Sequence, residues 1–75
     1  MKKEELCLLS VGMKVHYQPD YYEPNDEFEN GIVKEIRKDV DDAVWVVYNC
    51  DGNWYKYQEY TSAKTNIEDL YIGWR

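Results

Sequence analysis

The pattern of hydrophobic and polar residues along the chain predicts several short β-strands. Residues 13–18 place Met13, Val15 and Tyr17 on one face, which predicts a half-buried strand. Residues 32–38 are rich in β-branched side chains but do not alternate strictly, so we expect a strand with a bulge or a strong twist. Residues 44–49 are almost continuously apolar, which predicts either a strand buried on both faces or one with a core face and a functional face.

Turn signals separate these segments. Pro19 ends the first strand, and residues 20–30 are acidic and contain a second proline, which predicts a long loop. The dipeptide Asp51-Gly52 predicts a tight hairpin because glycine readily adopts the positive φ that such a turn requires. The hairpin is expected to return the chain through a strand over residues 54–57.

Turn signals are weaker in the C-terminal part of the chain. Residues 58–66 are polar and predict a loop with an extended piece near Tyr60, and Asn66 is a cap residue before a single 3₁₀ turn. A last short strand follows over residues 71–74. The apolar run at residues 6–9 is compatible with a helical turn or with an edge strand.

These elements predict an all-β fold, a small antiparallel barrel of about five strands with one short 3₁₀ turn. Closing the sheet would protect its edges, as an all-β protein of 75 residues requires. The length fits a single domain over residues 1–75, with the barrel over 9–74 and a short N-terminal extension over 1–8.

Composition adds a hint about the ligand. The chain has three Trp, eight Tyr and one Phe with a net charge of -6, more rings than a small core needs. Rings exposed on an acidic protein favour a cation or a flat ligand. The nine basic residues are scattered, so we expect no direct contact with nucleic acid, whose phosphates require clustered Lys and Arg.

Several other classes are disfavoured. No apolar run approaches the roughly 20 residues that span a bilayer, so we expect a cytoplasmic protein with no membrane contact. Cys7 and Cys50 have no CxxC partner and are expected to be free thiols, although a disulfide between them is a geometric alternative.

No catalytic or metal-binding pattern is present in the sequence. His16 is the lone histidine and is expected at the surface, and the acidic loop lacks the regular spacing of a calcium site. Neither cysteine has a recognisable base beside it in the sequence. We therefore expect no enzyme activity, no cofactor and no metal.

Three segments together resemble a known fold. Residues 9–17, 30–36 and 44–48 match the pattern L-x-x-G-x-x-V-x-Y, G-x-V-x-x-I and V-x-V-x-Y of SH3-like barrels of the Tudor and KOW type. The tail from Tyr60 to Trp74 is similar to that of small proteins from bacterial and prophage genomes. The resemblance covers about residues 9–74, and the SH3-like fold hosts many unrelated binding functions.

The resemblance to Tudor domains implies an aromatic cage that holds a methylated Lys or Arg. Rings at about 0.5–2 kcal/mol each attract a cation that sheds its water easily. The loop here is longer and more acidic than in typical Tudor domains. The matching positions are Tyr22 and Phe28 in the loop, Tyr48 at the end of the third strand, and Trp54 or Tyr55 after the hairpin turn, with Asp51, Asn49 or Asn53 as the polar contact.

The third strand raises a separate question. If Val44, Val46 and Tyr48 point inward, Trp45 and Val47 point outward and need a cover, a ligand or a dimer partner.

Three functions therefore stay open. The first is a non-catalytic binding module that engages a basic or cationic group of a protein partner through an aromatic and acidic face. The second is a phage or mobile-element accessory protein that inhibits a host factor or sequesters a nucleotide-like ligand between stacked rings. The third is a structural homo-oligomer, with a homodimer through Trp45 and Val47.

Overall fold

One antiparallel sheet of five strands organises the chain, and the computed structural model describes residues 1–19 and 28–75. The strands are β1 (Lys14–Tyr17), β2 (Glu29–Glu35), β3 (Ala43–Val47), β4 (Ala63–Asn66) and β5 (Leu70–Ile72). Three 3₁₀ helices accompany them, namely η1 (Lys3–Leu8), η2 (Trp54–Glu59) and η3 (Ile67–Asp69). The order across the sheet is β4-β3-β2-β1-β5. The all-β prediction is confirmed, but the sequence predicts one 3₁₀ turn and the described residues contain three.

The strands predicted at residues 13–18, 32–38 and 44–49 are present as β1, β2 and β3. Val15 on β1 is fully buried, and Tyr17 at the end of β1 and Met13 just before it pack against the same core. The pairing of β2 with β3 shifts register between Val33 and Glu35, which confirms the predicted irregularity.

The hydrophobic core lies on one face of the sheet, which we name the inner face, and it is aliphatic. Tyr17 and Tyr48 pack against it from the side, each half-buried. It follows that the rings surround this core instead of filling it. Its buried members are Leu9, Val15, Val33, Val44, Val46, Ile67 and Leu70.

The opposite, outer face of β3 is also covered. Val47 is fully buried and Trp45 is half-buried, so of the three expected alternatives the structure provides a cover. Val47 pairs in register with Ile32 on β2, and η2 packs against β2. The physical reason is that η2 covers the outer face, which leaves Val47 little surface to offer a dimer partner.

The turn predicted at Asp51-Gly52 forms, but the chain then becomes helical. Asp51 and Gly52 have φ values of 52° and 80°, and the Asn53 amide donates to the Cys50 carbonyl oxygen at 2.8 Å. The predicted strand over residues 54–57 is wrong, because these residues belong to η2. In this segment the half-buried positions recur every third residue. This is the period of the 3₁₀ helix. The half-buried positions are Trp54, Tyr57 and Tyr60.

Other differences concern loops. Residues 63–66, predicted as loop, form β4, whose one buried side chain is Thr65. Glu29 and Asn30, assigned to the long loop, belong to β2, and the rest of that loop except Phe28 lies outside the described residues. The predicted 3₁₀ turn after Asn66 is confirmed, with the Asn66 Oδ1 atom accepting from the Glu68 amide at 2.9 Å. No helix in the described ranges has the length and apolar character needed to cross a membrane.

Candidate functional site

The predicted site residues do not form one cluster but contact different partners. Phe28 contacts His16, Tyr48 contacts Tyr17, and Trp54 contacts Trp74. Tyr22 lies outside the described residues. The remaining three are Trp45 beside Arg37 and Lys64, Tyr55 at 78% exposure beside Lys56, and exposed Asp51 in the turn after β3.

Two tyrosines and a carboxylate border one groove of about 410 Å³, which we name the tyrosine groove. The rings of Tyr17 and Tyr48 lie 6.1 Å apart, with their planes at 64°. Glu29 is exposed and pairs directly with Tyr17 in the β1–β2 register, so both side chains leave the same face of the sheet. Four β4 residues complete the wall, namely Ala63, Lys64, Thr65 and Asn66.

A glycine makes room for the second ring. Gly31 lies on β2 opposite Val15, and a Cβ atom at Gly31 would approach Tyr48 Cδ1 to 2.9 Å. The Tyr48 hydroxyl and Thr65 Oγ1 are hydrogen-bonded at 2.8 Å. Thr65 is 4% exposed, and its hydroxyl also donates to the Ala63 carbonyl oxygen at 3.2 Å. The Tyr48 ring is therefore fixed from both sides, by its fit over Gly31 and by its hydroxyl.

A second groove of about 420 Å³ adjoins the first, and we name it the neighbouring groove. It shares Tyr48 and Ala63 with the tyrosine groove. Its other walls come from Val46, Asn49, Tyr60, Thr61 and Ser62. Tyr60 is half-buried and Ala63 is exposed, so these two side chains give the neighbouring groove an apolar part.

The tryptophans lie in contacts with basic side chains of the chain itself. The rings of Trp54 and Trp74 are 4.9 Å apart at 60°, and the Lys14 ammonium lies 4.7 Å from the Trp74 ring. Trp74 Nε1 donates to the Gly31 carbonyl oxygen at 2.8 Å. Trp45 has the Arg37 guanidinium at 4.2 Å from its ring centre. These contacts indicate a structural use for the tryptophan rings.

A third aromatic group lies where β1 meets β5. His16 stacks on Tyr71 with ring centres 5.2 Å apart, and it meets Phe28 edge-on at 6.3 Å. His16 Nδ1 lies 2.7 Å from the Gly73 carbonyl oxygen, and it carries a proton there because a carbonyl only accepts. The Arg75 guanidinium lies 5.0 Å from the Phe28 ring. His16 is thus half-buried and bonded, where the sequence predicts a surface residue.

A third cavity defines no ligand class. It has about 610 Å³ and lies between η1, η3 and Asp42. Its walls carry both signs of charge and no aromatic ring, with the charged members Lys2, Lys3, Glu4, Glu5, Asp42 and Glu68. Within the described part of the chain, no group of three or more His, Cys, Asp and Glu side chains is arranged to hold a metal ion.

Sequence reasoning assigns Tyr48 to the site but misses three of its companions. Tyr17 is assigned to the core, Glu29 to the long acidic loop and Thr65 to the polar loop over residues 58–66. The alternation in residues 13–18 places Tyr17 correctly on the inner face, and Pro19 marks the strand end where such a ring reaches the rim. No signal identifies Thr65 because β4 itself is not predicted.

No family model, curated protein or solved structure matches this chain. The candidate site therefore depends on its own geometry.

Proposed function

We propose that this protein is a non-catalytic binding module that holds a cationic side chain of a protein partner in the tyrosine groove. One observation carries the proposal. Two tyrosine rings at 64° and the Glu29 carboxylate border the same groove of about 410 Å³. A methylated lysine or an arginine is the group that this combination suits best.

The physical argument starts with the rings. Rings at a steep angle can contact a rounded cation from two sides, and each contributes about 0.5–2 kcal/mol when the cation is desolvated. Glu29 adds a charge that a neutral ligand would not use. Because Tyr48 is fixed by Thr65 and by Gly31, little ordering entropy is lost when the ligand enters.

The strand order supports the finer assignment to an SH3-like barrel of the Tudor type. β5 pairs with β1 after a 3₁₀ helix, η3, has joined it to β4. The tyrosine groove uses the end of β1, the start of β2 and the chain after β3. Tyr48 is one of the cage positions that the resemblance to Tudor domains implies, and it borders this groove.

Charge and thiol state fit the same proposal. The net charge is -6, and residues 20–27 contain four carboxylates and no basic side chain, which would steer a basic partner by long-range attraction. Cys7 and Cys50 are both free, with Cys7 exposed and Cys50 buried. Two free thiols are consistent with the cytoplasmic location that we propose.

The two other functions have less support. Trp54 and Trp74 contact each other at 60°, so that pair forms no parallel slot for a nucleotide base. A homodimer through Trp45 and Val47 is disfavoured by the burial of Val47. A panel of nucleotides that raised the melting temperature would revive the first alternative, and a dimer in light scattering would revive the second.

The test uses acetylated trimethyllysine amide as a probe, titrated into the protein while NMR spectra are recorded. A neutral tert-butyl analogue of the same shape is the ligand control. We expect the probe to shift signals of groove residues and to bind several-fold more tightly than the analogue, because only the cation attracts ring faces and Glu29.

Protein variants complete the test. Tyr17→Leu and Glu29→Gln should each weaken probe binding, whereas Tyr55→Leu and Glu68→Gln, at exposed positions outside the groove, should not. Thermal unfolding would check that each variant folds. Equal affinity for the probe and its neutral analogue, or full affinity in both groove variants, would refute the proposal.

A further inference from the structure

We infer that the partner presents its cationic residue on an extended segment, which lies along β4 and places a branched aliphatic side chain in the neighbouring groove. This inference rests on the proposed function of the tyrosine groove and adds the form of the partner. It follows from the position of β4 and from the relation between the two grooves.

The position of β4 leaves one side of that strand for another chain. Within the described ranges, β4 pairs with β3 and is the last strand on its side of the sheet. A terminal strand carries backbone N–H and C=O groups that a partner strand can pair with. Strand addition of this kind gives affinity through the backbone and specificity through alternate side chains.

The two grooves follow one another along residues 60–66, the segment that leads into β4 and includes it. The neighbouring groove is bordered by residues 60–63 and the tyrosine groove by residues 63–66, and Ala63 and Tyr48 belong to both. Each groove has a volume of a few hundred cubic ångströms, about 420 and 410 Å³, which accommodates one side chain with room for water. In an extended chain, side chains on one face recur every second residue, about 6.6 Å apart.

The walls assign a chemistry to each position. Glu29 and the two rings select a cation in the tyrosine groove, and half-buried Tyr60 with exposed Ala63 suits an aliphatic group in the neighbouring groove. Lys64 belongs to β4 but its ammonium lies 6.0 Å from the Trp45 ring, on the outer face. The recognised pattern is therefore a trimethyllysine or arginine two positions from a valine or isoleucine.

The experiment varies the spacing. Synthetic eight-residue peptides in a Thr-Ser background carry one trimethyllysine and one valine, placed one, two or three positions apart. Their affinities are compared with that of acetylated trimethyllysine amide. We expect the peptide with a two-residue spacing to bind about tenfold more tightly than the amide, and the other spacings to bind about as weakly as the amide.

Two further measurements identify the cause of any gain. Tyr60→Ala should remove the gain of the two-residue peptide and leave amide binding intact, with Tyr55→Ala as the matched control. A two-residue peptide methylated on its backbone nitrogens should lose the gain with the wild-type protein, since it cannot pair with β4. This second measurement does not depend on a variant that folds.

The outcomes separate the two proposals. If the amide binds and every peptide binds equally, the extended-segment inference is overturned and the cationic groove stands. If Tyr60→Ala and backbone methylation leave the gain unchanged, the inference is likewise overturned. If the amide itself does not bind the wild-type protein, the proposed function fails and takes this inference with it.

Discussion

Replacing Gly31 by alanine is expected to destabilise the protein and to displace the ring of Tyr48. An added Cβ would meet Val46 Cγ1 at 2.6 Å, the Val47 carbonyl oxygen at 2.8 Å and Tyr48 Cδ1 at 2.9 Å. The Tyr48 ring can tilt, but doing so strains its hydrogen bond to Thr65. The carbonyl oxygen belongs to β3, which pairs with β2 and cannot move alone. The substitution therefore forces the two strands apart.

The cost can be scaled from known effects of overpacking. Extra methyl groups in a packed site typically cost about 1–3 kcal/mol, and a clash with backbone belongs at the upper end, about 3 kcal/mol. At roughly 0.05–0.15 kcal/mol per residue, a chain of 75 residues has a total stability of roughly 4–11 kcal/mol. With about 4–8 °C lost per kcal/mol in a domain of this size, the melting temperature should fall by roughly 12–24 °C.

Thermal and urea unfolding followed by tryptophan fluorescence would measure the loss, with Gly73→Ala as the control. Gly73 has a φ of 93° and open space around its Cα, so alanine there carries backbone strain of about 1–2 kcal/mol without a clash. A Gly31→Ala variant no less stable than Gly73→Ala would refute the reasoning. In a Gly31→Ala protein that still folds, the trimethyllysine amide should bind more weakly because the Tyr48 ring has moved.

Three further substitutions test single contacts. Tyr48→Phe loses the 2.8 Å bond to Thr65 and should cost about 1 kcal/mol in urea unfolding while the ring still binds the probe; an unchanged stability would contradict this. Trp74→Phe removes the 2.8 Å bond to the Gly31 carbonyl and should lower the free energy of unfolding by about 1–2 kcal/mol in urea unfolding; an unchanged free energy would count against this bond. Asn66→Ala removes the cap of η3 and should lower thermal stability by about 1 kcal/mol, with Asn66→Asp retaining most of it.

Much of the fold is predictable because local patterns dominate β1, β2 and β3. Their apolar and β-branched residues report burial directly, and Asn66 is a cap that acts within one turn. By contrast, β4 has a single buried side chain, Thr65, and is held by pairing with β3. A strand stabilised by its neighbour leaves no periodic signal in its own sequence. The helix η2 is not predicted for a different reason, because its many aromatic residues are also typical of strands.

The candidate site is less predictable than the fold because its members meet through register. Tyr17 and Glu29 are twelve positions apart and become neighbours only through the β1–β2 pairing. Tyr48 reaches them because Gly31 has no side chain at the crossing point. The dipeptide Asn30-Gly31 is typical of a turn or a bulge. In the structure Gly31 lies within β2, and its missing side chain leaves room for the Tyr48 ring.

The basic side chains of this protein explain why a ligand cation should bind at some of its aromatic rings and not at others. Trp45, Trp74 and Tyr55 each have a lysine or arginine of this chain within 5.7 Å of the ring centre. A ligand cation at any of these rings would have to displace a tethered one, and the exchange would gain little beyond the roughly 0.5–1 kcal/mol of an exposed contact. The tyrosine groove adds the carboxylate of Glu29 to its two rings, and this charge attracts an incoming cation. Cation binding should therefore concentrate in that groove, and replacing Trp45 by leucine should leave the affinity for trimethyllysine unchanged.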